Sequence, residues 1–299
     1  MGQRHARVLG ALPERFEIVG AFDVKHDRTV PAGVPAVGTE AEAVARADVV
    51  VVATPIAAHA PMVARALAAG RHVLVEKPLC ATGAEADALL GAAARTAARL
   101  FVGHSERFNP VVRSLARLVR RDQVVAIDLE RVGPFRPSDH GVLVNLGVHD
   151  FDLAAYLGGG HAVLRGAAAA PEARPAVDEL AHVLLTTASG AVAHVYVDRT
   201  VPHKRRRLVL ATQRWVYEGD LLAHRLLRTS RASGTASEVP LLLEEPLRAQ
   251  ALALADALDG APVREIATGV DGARAVALAE RAAACCTKAA EKLSVLAGP

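Results

Sequence analysis

The sequence predicts an α/β chain, with a parallel sheet and crossover helices in its first third and a mostly antiparallel sheet after it. Three observations predict this. Val49–Val52 and residues 73–75 are short apolar runs with polar residues only at their ends, as strands buried on both faces require. Residues 57–69 between them have a helical pattern closed by Gly70, a good helix C-cap, and strand, helix and strand in about 30 residues make a right-handed βαβ unit. Further on, residues 182–187 and 191–199 flank Ala188-Ser189-Gly190, a hairpin turn between alternating strands.

Composition bounds the rest. A chain of 299 residues is long enough for two ordinary domains with ample core. Apolar residues make up 52% but aromatics only 3%, so the core is built of Ala, Val and Leu. No apolar run reaches the roughly 18 residues a membrane helix needs. The first residues carry no h-region or cleavage site, so a cytoplasmic protein without a membrane segment is expected. Three cysteines, with Cys285 and Cys286 adjacent, form neither a disulfide framework nor a zinc pattern, and no metal is expected. A net charge of +3 is too small to argue for nucleic acid. The run Lys204-Arg205-Arg206-Arg207 reads as a solvated strand start.

The stretch with the most chemistry is HVLVEKPLCAT, residues 72–82. Its strand ends at Glu76-Lys77, because Pro78 cannot donate to a ladder and restricts the residue before it. Ligands of open α/β sheets bind just beyond the carboxyl ends of the strands, so Lys77 sits where chemistry is done. A solvated loop lysine is the plain alternative.

VVVATP, a helix, and then AGRHVLVEKPL resemble the nucleotide-binding half of the glucose–fructose oxidoreductase, inositol dehydrogenase and rhizopine-catabolism (Gfo/Idh/MocA) family. The later GHSERFNP and HDFDL segments extend the resemblance over nearly the whole chain, and GHSERFNP is similar to the branch that resembles UDP-N-acetylglucosamine 3-dehydrogenases. The resemblance implies a Rossmann-type parallel sheet over residues 1–107. It also implies an α+β domain over 108–299, with a large, mostly antiparallel, open-faced sheet. It implies NAD as cofactor, with NADP left open. Cofactor contacts are expected at Gly2, Asp23, Thr54, Pro55, His59, Glu76, Lys77 and Pro78.

In order, the start departs from the family. A strand and two glycines precede the helix there; here they are absent, and Gly2 matches only the last glycine of the G-x-G-x-x-G fingerprint. The Rossmann-type sheet is thus expected without its first strand, which would leave neighbouring edges unpaired and fewer amides for the pyrophosphate. A longer protein, a damaged cofactor site, or a partner strand filling the gap all remain open. Residues 16–23 read as the next strand, ending at Asp23, 21 residues after Gly2. A carboxylate there accepts from the adenosine ribose and repels a 2′-phosphate, which favours NAD, although Lys25 and His26 stand nearby. Residues 34–38 read as a third strand, and Thr39 caps a helix over 40–46. Thr82 and Glu85 form a capping box for a helix over 85–98, residues 100–104 are a strand, and 110–121 a helix. The resemblance places His104 and the turn 106–110 at the mouth of the site. Arg107 and Asn109 suit a polyhydroxylated or phosphorylated substrate through a guanidinium fork and an amide.

The second domain opens with a strand over 124–132, carrying Arg131, followed by a loop through Arg136 and Pro137. On the next helix Asn145, His149 and Asp152 share a face at i, i+4 and i+7. The family pattern there is D-x-x-x-H-x-x-D, and Asn145 replaces its first aspartate. Arg131, Asn145, His149 and Asp152 join Arg107 and Asn109 as expected substrate contacts. Strands follow at 207–211, 215–218 and 239–243, then helices at 246–258 and 272–288. The open sheet face is expected to be covered by a second copy, giving a homo-oligomer.

The expected reaction is hydride transfer between a nicotinamide and a secondary hydroxyl of a sugar, sugar nucleotide or cyclic polyol. The hydroxyl proton leaves in the same event, so a base is needed, and His149 is the candidate. Lys77 is expected to hydrogen-bond the same oxygen, its proton affinity lowered by burial and the cationic ring. An amide at Asn145 orients the His149 ring but cannot take up a proton. That departure keeps two alternatives in view, a non-catalytic sugar-binding relative and an enzyme of transient oxidation that recycles its NAD.

Overall fold

The computed structural model describes residues 1–25, 33–119, 122–135, 140–170 and 178–297, the last eleven as backbone only. His26, Arg121, Arg136 and Pro137 lie outside the described residues. In chain order the elements are α1 (Gly2–Gly10), α2 (Glu40–Arg46), β1 (Val49–Val52), α3 (Ile56–Ala68), β2 (His72–Glu76), α4 (Gly83–Ala94) and β3 (Leu100–Gly103). A 3-10 turn, Ser105–Phe108, leads to α5 (Pro110–Leu118) and β4 (Val124–Val132). A π-helical segment, Leu143–Gly147, runs into α6 (Val148–Leu157). Then come β5 (Ala162–Ala170), β6 (Leu180–Thr187), β7 (Val192–Asp198), β8 (Arg205–Thr212), β9 (Trp215–Asp220), β10 (Arg225–Ser230) and β11 (Ala236–Glu238). α7 (Pro246–Leu258), β12 (Ala267–Thr268) and α8 (Gly269–Ala297) complete the chain.

Two compact units result, Met1–Phe108 with Glu245–Ala273, and Asn109–Glu244 with Arg274–Pro299. The sequence draws one boundary at 107/108; the segment carrying α7 and β12 instead returns to the first unit.

The first unit holds a sheet of order β1-β2-β3-β12, parallel except for the last pair. Val73, Leu74, Val75 and all four β3 residues are buried, which is why they read as unbroken apolar runs. Gly70, at φ +72°, ends α3 by donating to Leu67, as its place after the helix predicts. Both threonine caps form. Thr39 Oγ1 accepts from Glu42 at 3.1 Å, and Thr82 and Glu85 make the reciprocal capping box. On α7, Ala249 and Leu254 pack with Leu74, Phe101, Phe108 and Ile266, while Leu247 and Ala251 meet Val8 of α1 and Leu12 just after it.

The strands expected at 16–23 and 34–38 reduce to one parallel bridge, Ala21 to Ala36. Its hydrogen bonds run from Ala21 N to Pro35 O (2.8 Å) and from Val37 N to Ala21 O (3.1 Å). Pro35 has no N–H to extend the ladder, and no described strand lies on the other side of residues 16–23. Ile18 and Val19 are accordingly only half-buried.

The second unit is built on an eight-stranded sheet of order β11-β10-β9-β8-β4-β7-β6-β5, antiparallel except for β4 and β7. Its inner face alternates through Ile127, Leu129, Val183, Leu185, Val195 and Leu208, and α5 and α6 cover it with Val111, Leu115, Phe151 and Leu153. The strand expected at 239–243 lies earlier, at β11; beyond it only Val239 N still bonds the sheet, at Leu226 O.

Candidate active site

In the first unit the carboxyl ends of β1 and β2 are bound together by buried side chains. β2 runs beside β3 until Glu76 stands opposite Gly103. Pro78 then breaks the ladder, and the Lys77–Pro78 peptide is cis. Of the three residues Glu76, Lys77 and Pro78, only Lys77 is partly exposed.

The Glu76 carboxylate is buried and pairs with the ring of His5 on α1, Nε2 to Oε1 at 2.7 Å. His59 on α3 is 1% exposed, with Nδ1 at 2.8 Å from Pro78 O and Nε2 at 2.9 Å from Thr54 O. Both partners are carbonyls, which only accept, so the ring donates to each when both nitrogens carry a proton and to one otherwise. Glu76 and His59 were expected to touch the cofactor. Both side chains have buried polar partners within the unit, His5 of α1 for Glu76 and the carbonyls of Thr54 and Pro78 for His59.

Of the other expected cofactor residues, Gly2, Thr54 and Pro55 lie at helix and strand ends. Gly2 opens α1, and a Cβ built on it meets nothing within 4 Å, leaving room for a ligand to approach the main chain. Amides of a helix's first turn have no intrahelical acceptor and favour anions. Thr54 Oγ1, just past β1, is buried and makes no hydrogen bond among the described residues. A dinucleotide asks for such groups, a side-chain hydroxyl and open main chain at the strand and helix ends, so these residues fit one. Pro55 is exposed beside Thr54, and Asp23 is an exposed carboxylate whose Oδ1 accepts from Lys25 N at 2.9 Å.

The GHSERFNP turn behaves differently from its expected role. Arg107 is 4% exposed and stands 3.6 Å from Asp271 of the same unit. Asn109, in the second unit, caps α5 by accepting from Val111 N at 3.1 Å and donates to Leu221 O at 2.9 Å. Its amide is 5% exposed and bonded at both ends, a capping role that Asn before Pro110 suits.

The helix bearing His149 in the second unit is not uniformly α-helical. Its first turn, Leu143–Gly147, is π-helical and carries Asn145; His149 and Asp152 follow on α6. A π turn is wider than an α turn, so it re-aims Asn145 relative to the i, i+4 register read from the sequence. Such turns recur at functional sites. Asn145 and His149 are half-buried, whereas Asp152 is 3% exposed. Arg131, expected to meet substrate, holds Asp150 with Nε–Oδ2 at 2.8 Å and Nη2–Oδ1 at 2.9 Å, both residues almost wholly buried. Its fork anchors α6 beside His149.

Sequence reasoning missed His5 and Asp150. The pairs His5–Glu76 and Arg131–Asp150 are 71 and 19 residues apart, and no local spacing signals them. The one available signal was a titratable residue within each motif, Asp150 inside HDFDL and His5 three residues after Gly2.

Two family models match the chain. One, described as an oxidoreductase family with an NAD-binding Rossmann fold, matches residues 1–104, and the Gfo/Idh/MocA C-terminal domain matches 128–217. The UDP-N-acetylglucosamine 3-dehydrogenase of Acidithiobacillus ferrooxidans is 29% identical over 252 residues, 82% of this chain and 79% of that one. Its solved structure superposes with a TM-score of 0.86 at 27% identity, covering 95% of this chain and 93% of that one. The inositol 2-dehydrogenase of Rhizobium meliloti is 29% identical over 205 residues, 64% of this chain and 59% of that one.

Proposed function

The chain belongs to the Gfo/Idh/MocA oxidoreductase family, with an NAD-binding first domain, and from that premise we propose that it oxidises a secondary hydroxyl of a sugar nucleotide. The relative named for UDP-N-acetylglucosamine supports this substrate class. The observation that carries the reading is Lys77, the one partly exposed residue of Glu76-Lys77-Pro78 at the carboxyl end of a buried parallel strand.

Nicotinamide supplies the hydride acceptor when bound. Gly2 and the α1 amides would receive the phosphates of the bound NAD, Thr54 Oγ1 would hydrogen-bond it, and Asp23 would accept from its adenosine ribose. Lys77 donates to the substrate oxygen and stabilises charge as the carbonyl forms. His149 removes the hydroxyl proton, and Asn145 orients its ring. Arg131 acts through Asp150 and α6, while Asp152 and Arg107 remain the polar groups assigned to substrate. The reaction belongs in the cytoplasm, where this cofactor is drawn. No helix among the described residues is long and apolar enough to cross a membrane.

The assembly is a homo-oligomer through the outward face of the eight-stranded sheet. Thr186, Val192, Ala126, Ala211 and Val216 align in register across five strands as an uncharged row, and Val192 is 52% exposed. Val192→Glu is expected to halve the mass seen by light scattering.

Absorbance at 340 nm, with NAD and a panel of UDP-sugars and inositols, tests the activity. Reduction of NAD by a UDP-hexosamine supports the reading. No reduction by any member, in a protein that binds NADH saturably, sinks it.

A further inference from the structure

We propose that His5 is a positioning residue that sets the presentation of Lys77 through the side chain of Glu76. The three residues at the end of β2 are held on two sides. Glu76 donates nothing and accepts the 2.7 Å bond from His5 Nε2; His5 is 5% exposed and Glu76 8%. Gly103 lies against the same carboxylate, where a Cβ would stand 3.2 Å from both Glu76 Cδ and Oε1. The carboxylate thus has an imidazole and a residue with no side chain as close neighbours. Pro78 is fixed in turn by its carbonyl, which faces His59 Nδ1 at 2.8 Å. Lys77 is the middle residue, partly exposed, with each neighbour gripped by a buried histidine.

Lys77 is bonded directly to Glu76 and Pro78, so holding both neighbours fixes the stretch of main chain from which its side chain leaves. A buried carboxylate without a donor is costly, and it relieves the cost by turning toward water or taking a proton. Without that donor Glu76 turns toward water, and the main chain it shares with Lys77 is no longer held through its side chain. His5 prevents this. Because His5 also belongs to α1, the helix opened by Gly2, one hydrogen bond ties the cofactor helix to the strand of the lysine.

The functional meaning rests on the reading of Lys77 as the reacting lysine, but the geometry can be measured without turnover. Trace acetylation of the intact protein, read lysine by lysine by mass spectrometry, reports each amine's reactivity. In His5→Ala the Lys77 rate is expected to change by about threefold or more, as about half a pKa unit at the amine would produce. In His5→Gln, which keeps a donor, it returns to near the starting rate. Lys204, in the second unit, serves as the control and stays constant. An unchanged Lys77 in His5→Ala overturns the proposal, as does a His5→Gln no closer to the parent than His5→Ala. If His5→Ala does not fold, which equal acceleration of Lys77 and Lys204 would reveal, His5→Met fills the volume without a donor and carries the same two outcomes. A protein that reduces no NAD while Lys77 responds to His5 contradicts the dehydrogenase reading alone. An active enzyme with a silent Lys77 contradicts this inference alone.

Discussion

Arg131 grips Asp150 through two parallel hydrogen bonds, of 2.8 and 2.9 Å, and Asp150 is the residue that follows His149. The pair joins β4 to α6 and fixes the turn of helix that aims the candidate base. Removing one partner leaves a buried charge, which costs about 3–5 kcal/mol. Arg131→Met is therefore expected to lower unfolding free energy in urea by about that amount. Arg131→Met with Asp150→Leu is expected to regain much of it, because an apolar pair leaves no buried charge.

Asn145 stands where the family pattern has aspartate, one turn before His149. A carboxylate there would favour the protonated imidazole and accept part of its charge. Asn145→Asp is expected to raise turnover by about tenfold, within the range general-base changes span, and to move the acidic limb of the pH–rate profile upward. Steady-state rates from pH 5 to 9 check both.

Gly103 lies where a Cβ would stand 3.2 Å from the Glu76 carboxylate and 3.3 Å from its Cα. The carboxylate is held by His5 and the Cα is main chain, so neither yields easily. Gly103→Ala is expected to cost about 1–3 kcal/mol, the usual range for overpacking, measured by denaturant unfolding.

Much of the first unit was legible because its strands are short apolar runs, buried on both faces in β2 and β3 and partly buried in the edge strand β1. Val49–Val52 and 73–75 announce themselves as apolar runs, and Thr39, Gly70 and Thr82 mark their helices by local chemistry that needs no tertiary context. Residues 16–23 are also largely apolar, yet a strand needs neighbours, and with Pro35 beside them and no described strand on their other side they make only the Ala21–Ala36 bridge. Lys77 in the first unit, and Asn145 and His149 in the second, are singled out by motif position. What each polar side chain holds is not. Glu76, His59, Asn109 and Arg131 are chemically suited to ligands, and only the folded chain shows buried partners for them, brought from 2 to 112 residues away. The π turn at Leu143–Gly147 has no sequence signature, since it depends on how α6 seats against β4 and β7.

On the outward sheet face His182 Nδ1 lies 3.1 Å from His194 Nε2, and His194 Nδ1 lies 2.9 Å from Asp128. Burial, and then His194, hold His182 below its ordinary value of 6.5, while Asp198 and Asp128 oppose this. Between the lowered folded value and 6.5 the unfolded chain binds more protons, so stability rises with pH through that window and levels above it. His182→Gln is expected to flatten the rise in melting temperature just below pH 6.5.

The most direct measurement is the fate of deuterium placed on the carbinol carbon C3 of UDP-N-acetylglucosamine during reaction with NAD, followed by mass spectrometry of the nicotinamide. The account predicts that deuterium arrives at C4 of the ring, and that Lys77→Met, which still binds NADH within a few-fold, transfers several orders of magnitude less. Deuterium retained on the sugar or lost to water, or transfer that persists in Lys77→Met, would contradict it.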